Sequence, residues 1–226
     1  GYKGEVSITP KVDGAAISIL YLNRELTRVL TRGDGIEGRL VTDKFINTKL
    51  IPHTLPSSFP NVIQITGEIA APLHIENARN YAAGALNLGS IEEFKSRAVT
   101  FFAYGVFPYL TESFSKDLSL LAKAGFNTVL DREIPNIYPT DGAVFRLDSN
   151  KDYENVGFTA KHPKGAFAKK DRQETVDATL LDVEWQVGKS GRVTPVAILS
   201  PIKIDDKIVS RATLNNPGFI EALYLR

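Results

Sequence analysis

The sequence of 226 residues contains no cysteine, so it has neither disulfide bonds nor a metal site built on thiolates. No apolar run approaches the roughly 20 residues that cross a bilayer. The start of the sequence also lacks the basic, apolar and small-residue regions of a signal peptide, and we expect no membrane partner. Histidine is scarce, and the wide spacing of the three residues favours surface or loop positions over a shared metal site: His53, His74 and His162.

An excess of charge of one sign is missing as well. The 27 lysines and arginines nearly balance the 26 aspartates and glutamates, for a net charge of +1. A globally basic surface is therefore excluded, and any interaction with nucleic acid must depend on local patches and motifs. The composition, 43% apolar and 23% charged, is ordinary for a globular protein, and the length suffices for a large core with a smaller second unit.

Strand patterns dominate the first 70 residues. Side chains alternate over residues 17–22, and Asn23-Arg24 predicts a turn before a second strand over 25–31. Gly33-Asp34-Gly35 ends that strand, and another strand is expected over 62–70. These patterns predict a sheet that begins with a hairpin.

Helices follow, marked by the signals at their ends. Ser90 and the glutamate three positions later form a capping box, and glycines are expected to stop two later helices. The predicted elements are a helix from Ser90, a strand over 99–106, a helix from the capping residue Ser115 to Gly125, a strand over 143–147, and a helix over 150–156 that stops at Gly157.

The pattern changes near residue 172, after a charged connector. Three strand-like runs separated by turns then follow, at 180–187, 192–199 and 201–209. We predict two domains, 1–172 and 173–226. The second is a partial small β-barrel, because it has too few strands to close a five-stranded barrel.

The motif Lys11-Val12-Asp13-Gly14 contains a candidate nucleophile. A lysine amine attacks only in its neutral form, which neighbouring cations and partial desolvation favour. Gly14 would let the backbone approach a phosphate closely. Four-residue matches of this kind arise by chance, and taken alone this one favours a surface lysine in a turn.

Further motifs follow in order, and each suggests a chemical role. An arginine beside two glycines suits a phosphate or ribose, a carboxylate at a strand end suits a ribose hydroxyl or a hydrated metal, and a tyrosine can stack on a base. Each also has a structural interpretation, as a turn, a strand end, a packed helix, a core ring or a solvated charge. The motifs are TRGDG with Arg32, TGE with Glu68, NARN with Arg79, FFAYG with Tyr104, DGAVFR with Asp141 and Arg146, and AFAKK with Lys170.

Together these motifs resemble the nucleotidyltransferase domain of NAD-dependent DNA ligases, from about residue 8 to residue 220. KVDG and DGAVFR are shared with ATP-dependent ligases and capping enzymes, whereas NARNYAAGAL is specific to the NAD-dependent class. The resemblance implies an α+β fold: an ATP-grasp-like nucleotidyltransferase domain of antiparallel sheets with flanking helices, then the start of an OB-fold. It also implies a cytoplasmic protein, bacterial or viral within its host.

The resemblance implies a role for each site residue. Lys11 matches the lysine that forms a phosphoramidate with AMP, and Tyr104 matches the tyrosine that stacks on adenine. Glu68 matches the carboxylate that contacts the ribose or the waters of Mg²⁺. No direct metal ligand is expected. Mg²⁺ is expected to be held through water near Glu68 and Asp141. Other expected contacts to NAD or its AMP moiety are Gly14, Arg32, Arg79, Arg146 and Lys170. The expected catalytic residues are Lys11, Asp13, Glu68, Asp141 and Lys170.

Three positions depart from the family pattern. Arg146 and Asn87 stand where a lysine and an arginine are usual, and Lys169 replaces an aromatic residue. Arginine and lysine are not interchangeable at a tight phosphate site. We therefore expect a working but altered site, with an inactive homologue as the alternative.

The expected partner is nicked duplex DNA. Candidate contacts are Arg32 and Asn87 and, in the OB-fold segment, Lys189, Arg192 and Arg211, for which solvated loop charge is a comparable interpretation. The helical module with which the family captures the nicotinamide mononucleotide (NMN) half of NAD does not appear in this sequence. We expect that module and the rest of the OB-fold to come from missing domains or from a second chain.

The implied activity is the sealing of nicks between a 5′-phosphate and a 3′-hydroxyl through a lysyl-AMP intermediate. Two other functions remain open from the sequence. One is an ATP- or GTP-dependent nucleotidyltransferase, which would share KVDG. The other is a non-catalytic nucleic-acid-binding subunit of a ligase complex, which the departures would explain.

Overall fold

The computed structural model describes residues 4–33, 38–159, 162–170, 176–204 and 207–216, together with residues 218 and 220. The chain divides into two compact units, Gly1–Asp171 and Arg172–Arg226. The boundary expected after residue 172 falls within 171–175, outside the described residues. The first unit combines sheets with helices and the second contains an antiparallel sheet, so the α+β class is confirmed.

The elements are numbered in chain order. The strands are β1 (Val6–Val12), β2 (Ala15–Leu22), β3 (Glu25–Thr31), β4 (Val62–Ala70), β5 (Thr100–Phe107), β6 (Asn127–Thr128), β7 (Thr140–Leu147), β8 (Ala166–Lys169), β9 (Leu180–Val187), β10 (Val193–Ile204) and β11 (Lys207–Thr213). The helices are α1 (Thr42–Ile46), α2 (Ala78–Asn87), α3 (Ile91–Lys95), α4 (Phe114–Lys123), α5 (Ile134–Ile137) and α6 (Asn150–Val156). Within the described ranges, no helix has the length and apolar character to cross a membrane.

A five-stranded sheet in the order β3-β2-β4-β5-β6 forms the centre of the first unit, antiparallel except for the β5–β6 pair. The alternation predicted on β2 is confirmed, because Ile17, Ile19 and Tyr21 are buried. They belong to one hydrophobic cluster with residues of α2 and α4. The predicted turn is confirmed too, since Asn23 and Arg24 adopt positive φ angles of 51° and 65°, as a tight two-residue hairpin requires.

Most helix ends agree with the sequence signals. Ser90 caps α3, with its hydroxyl oxygen 3.2 Å from the amide nitrogen of Glu93. One prediction was wrong: Ser113, and not Ser115, caps α4. Ser113 has the extended backbone of a capping residue and its hydroxyl accepts from the Lys116 amide, whereas Ser115 is already within the first turn. Two glycines follow α4 and α6 with positive φ, as predicted: Gly125 and Gly157.

A second sheet of the first unit, in the order β1-β7-β8, brings distant parts of the chain together. The register of β1 against β7 shifts between Pro10 and Val12, and β7 bulges at Gly142, whose φ is 129°. A side chain at Gly142 would overlap the backbone at the end of β8. Glycine therefore lets the three strands converge at the edge that carries Lys11, Asp141 and Lys170.

The second unit contains a three-stranded antiparallel sheet in the order β11-β10-β9, and its described residues close no barrel. The first of the three predicted runs matches β9. The separation of the other two was wrong, because β10 continues through Pro201 into the third run. Its register against β11 shifts between Ile198 and Ile202. This irregularity accommodates a proline, which has no amide hydrogen to donate to a neighbouring strand.

Two glycines of the first unit provide a matched test of the packing. A Cβ at Gly67 would overlap the ring of Phe101 and the carbonyl oxygen of Phe102, whereas a Cβ at Gly84 in α2 meets nothing within 4 Å. We expect Gly67→Ala to lower the free energy of unfolding by about 1–3 kcal/mol through overpacking. Gly84→Ala should raise it by about 0.5–1 kcal/mol, because alanine favours the helix. Urea unfolding measures both, and equal effects would contradict this account of the core.

Candidate active site

A cavity of about 970 Å³ lies in the first unit and is lined by residues of both of its sheets and of α2. The site residues predicted in this unit come from segments scattered over 160 positions of sequence. The fold brings all of them to the wall of this one cavity: Lys11, Asp13, Gly14, Arg32, Glu68, Arg79, Asn87, Tyr104, Asp141, Arg146 and Lys170.

Asp141 lies between two lysines at one end of the cavity. Lys11 Nζ donates a hydrogen bond of 2.6 Å to Asp141 Oδ1, and Lys170 Nζ lies 3.4 Å from Asp141 Oδ2. Partial burial alone would raise the pKa of Asp141, but the hydrogen bonds and charges of Lys11 and Lys170 outweigh it and hold that pKa below its ordinary value. The carboxylate is thus ionised at neutral pH and fixes the amine of Lys11.

Glu68 is a second carboxylate of the cavity, set in the central strand β4 between β2 and β5. Burial raises its pKa to about 7. The charges of Lys11 and Arg79 and a hydrogen bond from the Gly14 backbone oppose that rise, whereas the charge of Asp13 adds to it. Glu68 is therefore a group that exchanges a proton near neutral pH beside the candidate nucleophile.

The loop between β1 and β2 supplies two further parts of the site. Asp13 Oδ1 lies 3.0 Å from Arg79 Nη1 at the start of α2, so an ion pair connects the loop to that helix. Gly14 passes so close to β4 that an added Cβ would overlap the Ile69 carbonyl oxygen. The absence of a side chain at Gly14 therefore keeps the loop seated on β4, next to Glu68.

Tyr104 presents an aromatic surface to the cavity from β5, with 37% of the residue exposed. Burial of its hydroxyl and the nearby charge of Glu68 raise the pKa of Tyr104 to about 12, while Arg32 lowers it. The phenol is therefore neutral over the physiological range. A neutral, partly exposed ring of this kind suits stacking against a flat heterocycle.

The exposed side of the cavity is lined by Arg32 and Asn87. Arg32 follows β3, and its amide donates to the Ala16 carbonyl oxygen at 3.0 Å. Asn87 is the last residue of α2. Both side chains are exposed. Asp34 and Gly35 of the same TRGDG motif lie outside the described residues.

Arg146 lines the cavity too, but its guanidinium is already engaged within the fold. The residue is 9% exposed, and its nitrogens donate to the Leu147 carbonyl oxygen at 3.0 Å and to Asn150 Oδ1 at 2.9 Å. Three aromatic rings surround it: Tyr109, Phe114 and Tyr153. Sequence reasoning missed these partners, which come from separate segments and share no motif or periodicity.

Two family models cover most of the chain. The NAD-dependent DNA ligase adenylation domain matches residues 2–137, and the NAD-dependent DNA ligase OB-fold domain matches residues 177–226. The chain belongs to the NAD-dependent DNA ligase family. The family that the motifs implied, with its adenylation and OB-fold domains, is thereby confirmed.

Curated relatives agree with this assignment. A DNA ligase of Flavobacterium johnsoniae is 33% identical over 96% of this chain, and one of Bacteroides fragilis is 34% identical over 98%. A DNA ligase of Francisella tularensis subsp. holarctica is 31% identical over the full chain. The aligned part is 38–39% of the length of each relative, so the chain spans well under half of these ligases.

The structure shows the surroundings of the three residues that were expected to depart from the family pattern. Arg146 is packed among aromatic rings, and Asn87 is an exposed amide at the end of α2. Lys169, the third departure, is exposed and lies outside the residues that line the cavity. Lys11, Glu68 and Asp141 all line the cavity in this chain.

The DNA-contact candidates of the OB-fold segment lie in the second unit. Lys189 and Arg192 belong to the exposed turn between β9 and β10, which closes with a 2.8 Å hydrogen bond from the Gly188 amide to the Arg192 carbonyl oxygen. Arg211 on β11 forms an ion pair with Glu184 on β9. Their contacts to DNA stay predictions.

Carboxylates that would hold a hydrated Mg²⁺ are present on the cavity wall. Within the described residues, no group of three or more histidine, aspartate or glutamate side chains is arranged to hold a metal ion. The carboxylates of Glu68 and Asp141 both line the cavity. Mg²⁺ commonly keeps several waters and uses one or two carboxylates together with substrate phosphates, and this donor set is compatible with that mode.

The raised pKa of Glu68 predicts a pH dependence of stability. Because the folded state holds the proton more tightly than the unfolded chain, this contribution is present below about pH 4.5 and is lost as the pH rises through about 7. Glu68→Gln should flatten the fall in unfolding free energy across that window. Urea unfolding between pH 4.5 and 8 measures the slope, with Glu25→Gln on the exposed edge of β3 as the control. An unchanged slope in Glu68→Gln would contradict the burial argument.

Proposed function

We propose that this chain is the adenylyl-transfer core of an NAD-dependent DNA ligase and that Lys11 carries the AMP. The observation that carries the proposal is the placement of Lys11 Nζ on the cavity wall, 2.6 Å from Asp141, with the ring of Tyr104 and the carboxylate of Glu68 lining the same cavity. A nucleophile, a stacking surface and a ribose-binding carboxylate in one cavity match the needs of a bound adenylate. The family assignment supports the same chemistry.

The nucleotide is proposed to lie with its adenine on Tyr104 and its ribose at Glu68. Its phosphates then meet the positive charges of Lys11, Lys170 and Arg32. Phosphoryl transfer passes through a transition state whose charge spreads over the non-bridging oxygens, so positioning and fixed cations supply most of the catalysis. The ion pair of Arg79 with Asp13 helps to hold the loop that follows Lys11.

The proposed reaction has three successive steps, and in each step a nucleophile attacks one phosphorus atom and a leaving group departs from it. In the first, the lone pair of neutral Lys11 Nζ forms a bond to the α-phosphorus of NAD, and the anhydride bond to NMN breaks. In the second, an oxygen of the 5′-phosphate at a nick attacks the AMP phosphorus and Lys11 leaves as the amine. In the third, the 3′-hydroxyl attacks the 5′-phosphorus, loses its proton, and AMP departs.

In the proposed reaction, Lys11, Asp141 and Lys170 have a role different from that of the metal. Asp141 holds the amine of Lys11 at the site through the 2.6 Å hydrogen bond, and Lys170 lies against the other oxygen of the same carboxylate. Mg²⁺ near Glu68 and Asp141 would supply further charge neutralisation at the phosphate oxygens. The side chains thus orient the nucleophile, and a bound ion would add to the positive field.

Nicked duplex DNA is the proposed substrate, and binding of the NMN half of NAD is proposed to need more of the ligase. The curated relatives are more than twice as long as this chain. We propose that other segments or a second chain supply the NMN-binding module and complete the OB-fold. The non-catalytic subunit is kept as the second candidate, because Asn87 removes a charge that the family pattern places at the exposed side of the cavity.

Intact-mass spectrometry tests the proposed function directly. We expect the chain to gain the mass of one AMP after incubation with NAD and Mg²⁺, supplemented where needed with an NMN-binding module from a relative, or to carry AMP on purification. Lys11→Ala should abolish the adduct, because it removes the amine that forms the 2.6 Å hydrogen bond with Asp141. Lys169→Ala, which removes an exposed lysine outside the cavity, is the matched control and should keep it.

Three results would argue against parts of this proposal. An adduct formed with ATP but not with NAD would place the activity with ATP-dependent ligases. An adduct that survives in Lys11→Ala would move the nucleophile elsewhere. No adduct even with the added module, together with retained DNA binding, would support the non-catalytic subunit.

Tyr104 provides a test of nucleotide placement that does not depend on turnover. Tyr104→Ala should weaken AMP binding by about 1–3 kcal/mol, the usual effect of removing a ring from a stacked base. Tyr104→Phe keeps the ring and should bind AMP nearly as well as the native chain. Isothermal titration with AMP measures both, and equal losses in the two variants would show that the hydroxyl, and not stacking, is responsible.

A further inference from the structure

The surroundings of Arg146 differ from those of a phosphate-binding residue. Its guanidinium carbon lies 4.0 Å from the ring centroid of Tyr153, 4.3 Å from that of Phe114 and 5.9 Å from that of Tyr109. We call these three rings the aromatic box. A guanidinium stacks on aromatic faces and is weakly hydrated, so such a box is a stable environment for it. The residue is 9% exposed, which leaves little of the charge accessible from the cavity.

A chain of buried hydrogen bonds continues from the aromatic box. Arg146 donates to Asn150 Oδ1 at 2.9 Å, and Asn150 Nδ2 donates to Asp117 Oδ2 at 2.8 Å. The other oxygen of Asp117 accepts from the amide and hydroxyl of Thr111 at 2.6 and 2.8 Å. Asp117 and Asn150 are 1% and 3% exposed. The network therefore connects β7, α6 and α4 through satisfied, desolvated groups, in which each member depends on its neighbours.

Arg146 also holds a central place in the sheet that carries the proposed nucleophile. On β7 it pairs with Ser7 of β1 and Ala166 of β8. The same three strands continue to Lys11, Asp141 and Lys170 at the edge of the cavity. Whatever fixes Arg146 against α4 and α6 therefore also fixes the sheet that sets the distance between Lys11 and Asp141.

We propose that Arg146 is a positioning residue: it anchors the β1-β7-β8 sheet to α4 and α6 and thereby holds Lys11 against Asp141. It does not contact the nucleotide phosphate. The expected effect of Arg146 on the reaction rests on the proposed function. It assigns Arg146 a role different from that implied by the family resemblance, in which the charge at this position meets the cofactor. The phosphate charge is then met by Lys11, Lys170 and Arg32.

Lysine should not replace Arg146 in this role, although lysine is usual in the family. The planar guanidinium donates to two oxygens at once while it stacks on Tyr153 and Phe114, whereas an ammonium is a strongly hydrated point charge. Burying that ammonium among three rings would cost stability. Arg146→Lys is therefore expected to behave like a loss of the anchor, whereas a phosphate contact would keep its positive charge in Arg146→Lys and lose less affinity than in Arg146→Met.

The test compares Arg146→Lys, Arg146→Met and Asn150→Ala with the native chain, with Arg28→Met on the exposed face of β3 as the control. Titration measures affinity for AMP and for adenosine, mass spectrometry follows the rate of lysyl-AMP formation at saturating NAD with the NMN-binding module present, and circular dichroism gives the melting temperature. All rates are taken well below melting, so that each variant is folded. Asn150→Ala provides a second route to the same anchor if an Arg146 variant fails to fold.

The positioning role predicts a specific combination of results. All three variants should lose about 10- to 100-fold in the rate of lysyl-AMP formation, the effect expected when a nucleophile is displaced by a small distance. The ratio of AMP to adenosine affinity should stay within about twofold of the native value. Arg146→Met and Asn150→Ala should be non-additive when combined, because they break the same network. Arg28→Met should leave both rate and affinity unchanged.

Two outcomes would overturn this inference while leaving the proposed function intact. One is a selective loss of AMP affinity over adenosine affinity in Arg146→Met with recovery in Arg146→Lys, which identifies a phosphate contact. The other is a lower melting temperature with an unchanged rate, which identifies a purely structural residue. Failure of the native chain to form lysyl-AMP would instead overturn the proposed function itself, and the catalytic role of Arg146 with it.

Discussion

The hydrogen-bonded ion pair of Lys11 with Asp141 joins residues that are 130 positions apart, and the rest of the cavity is arranged around it. It requires that β1 and β7 run side by side, that their register shifts near Pro10, and that Gly142 adopts a conformation most residues avoid. The same carboxylate is close to Lys170, the residue that follows β8. One end of a three-stranded sheet therefore sets the orientation of the amine that the proposed chemistry uses.

The charged side chains around Glu68 are of both signs, and their effects on its pKa partly cancel. Glu68 is buried in the central sheet, and the positive charges of Lys11 and Arg79 only partly offset the effect of burial and of Asp13 on its pKa. Such a site is neither a simple cation nor a simple anion receptor. It suits a ligand such as an adenylate, which presents a neutral aromatic base, polar ribose hydroxyls and an anionic phosphate to different parts of one cavity.

Arg146 shows how a family position can change its physical role without loss of charge. In an exposed phosphate site, arginine and lysine would differ mainly in geometry, but inside the aromatic box the difference is between a weakly hydrated stacked plane and a strongly hydrated ammonium. The buried network through Asn150 and Asp117 connects that plane to two helices. Family membership thus supports the proposed chemistry of the site, while the neighbours of Arg146 carry the inference about its role.

Local signals in the sequence were enough to locate β4, the turn at Asn23 and the end of α6, because alternation, turn preference and capping act over a few residues. The order of the motifs was enough to indicate the family. Only the tertiary structure decided that Ser113 caps α4, that β10 continues through Pro201, and that the guanidinium of Arg146 packs inside the fold. These features depend on partners far away in sequence, whose contacts leave no periodic trace in a single chain.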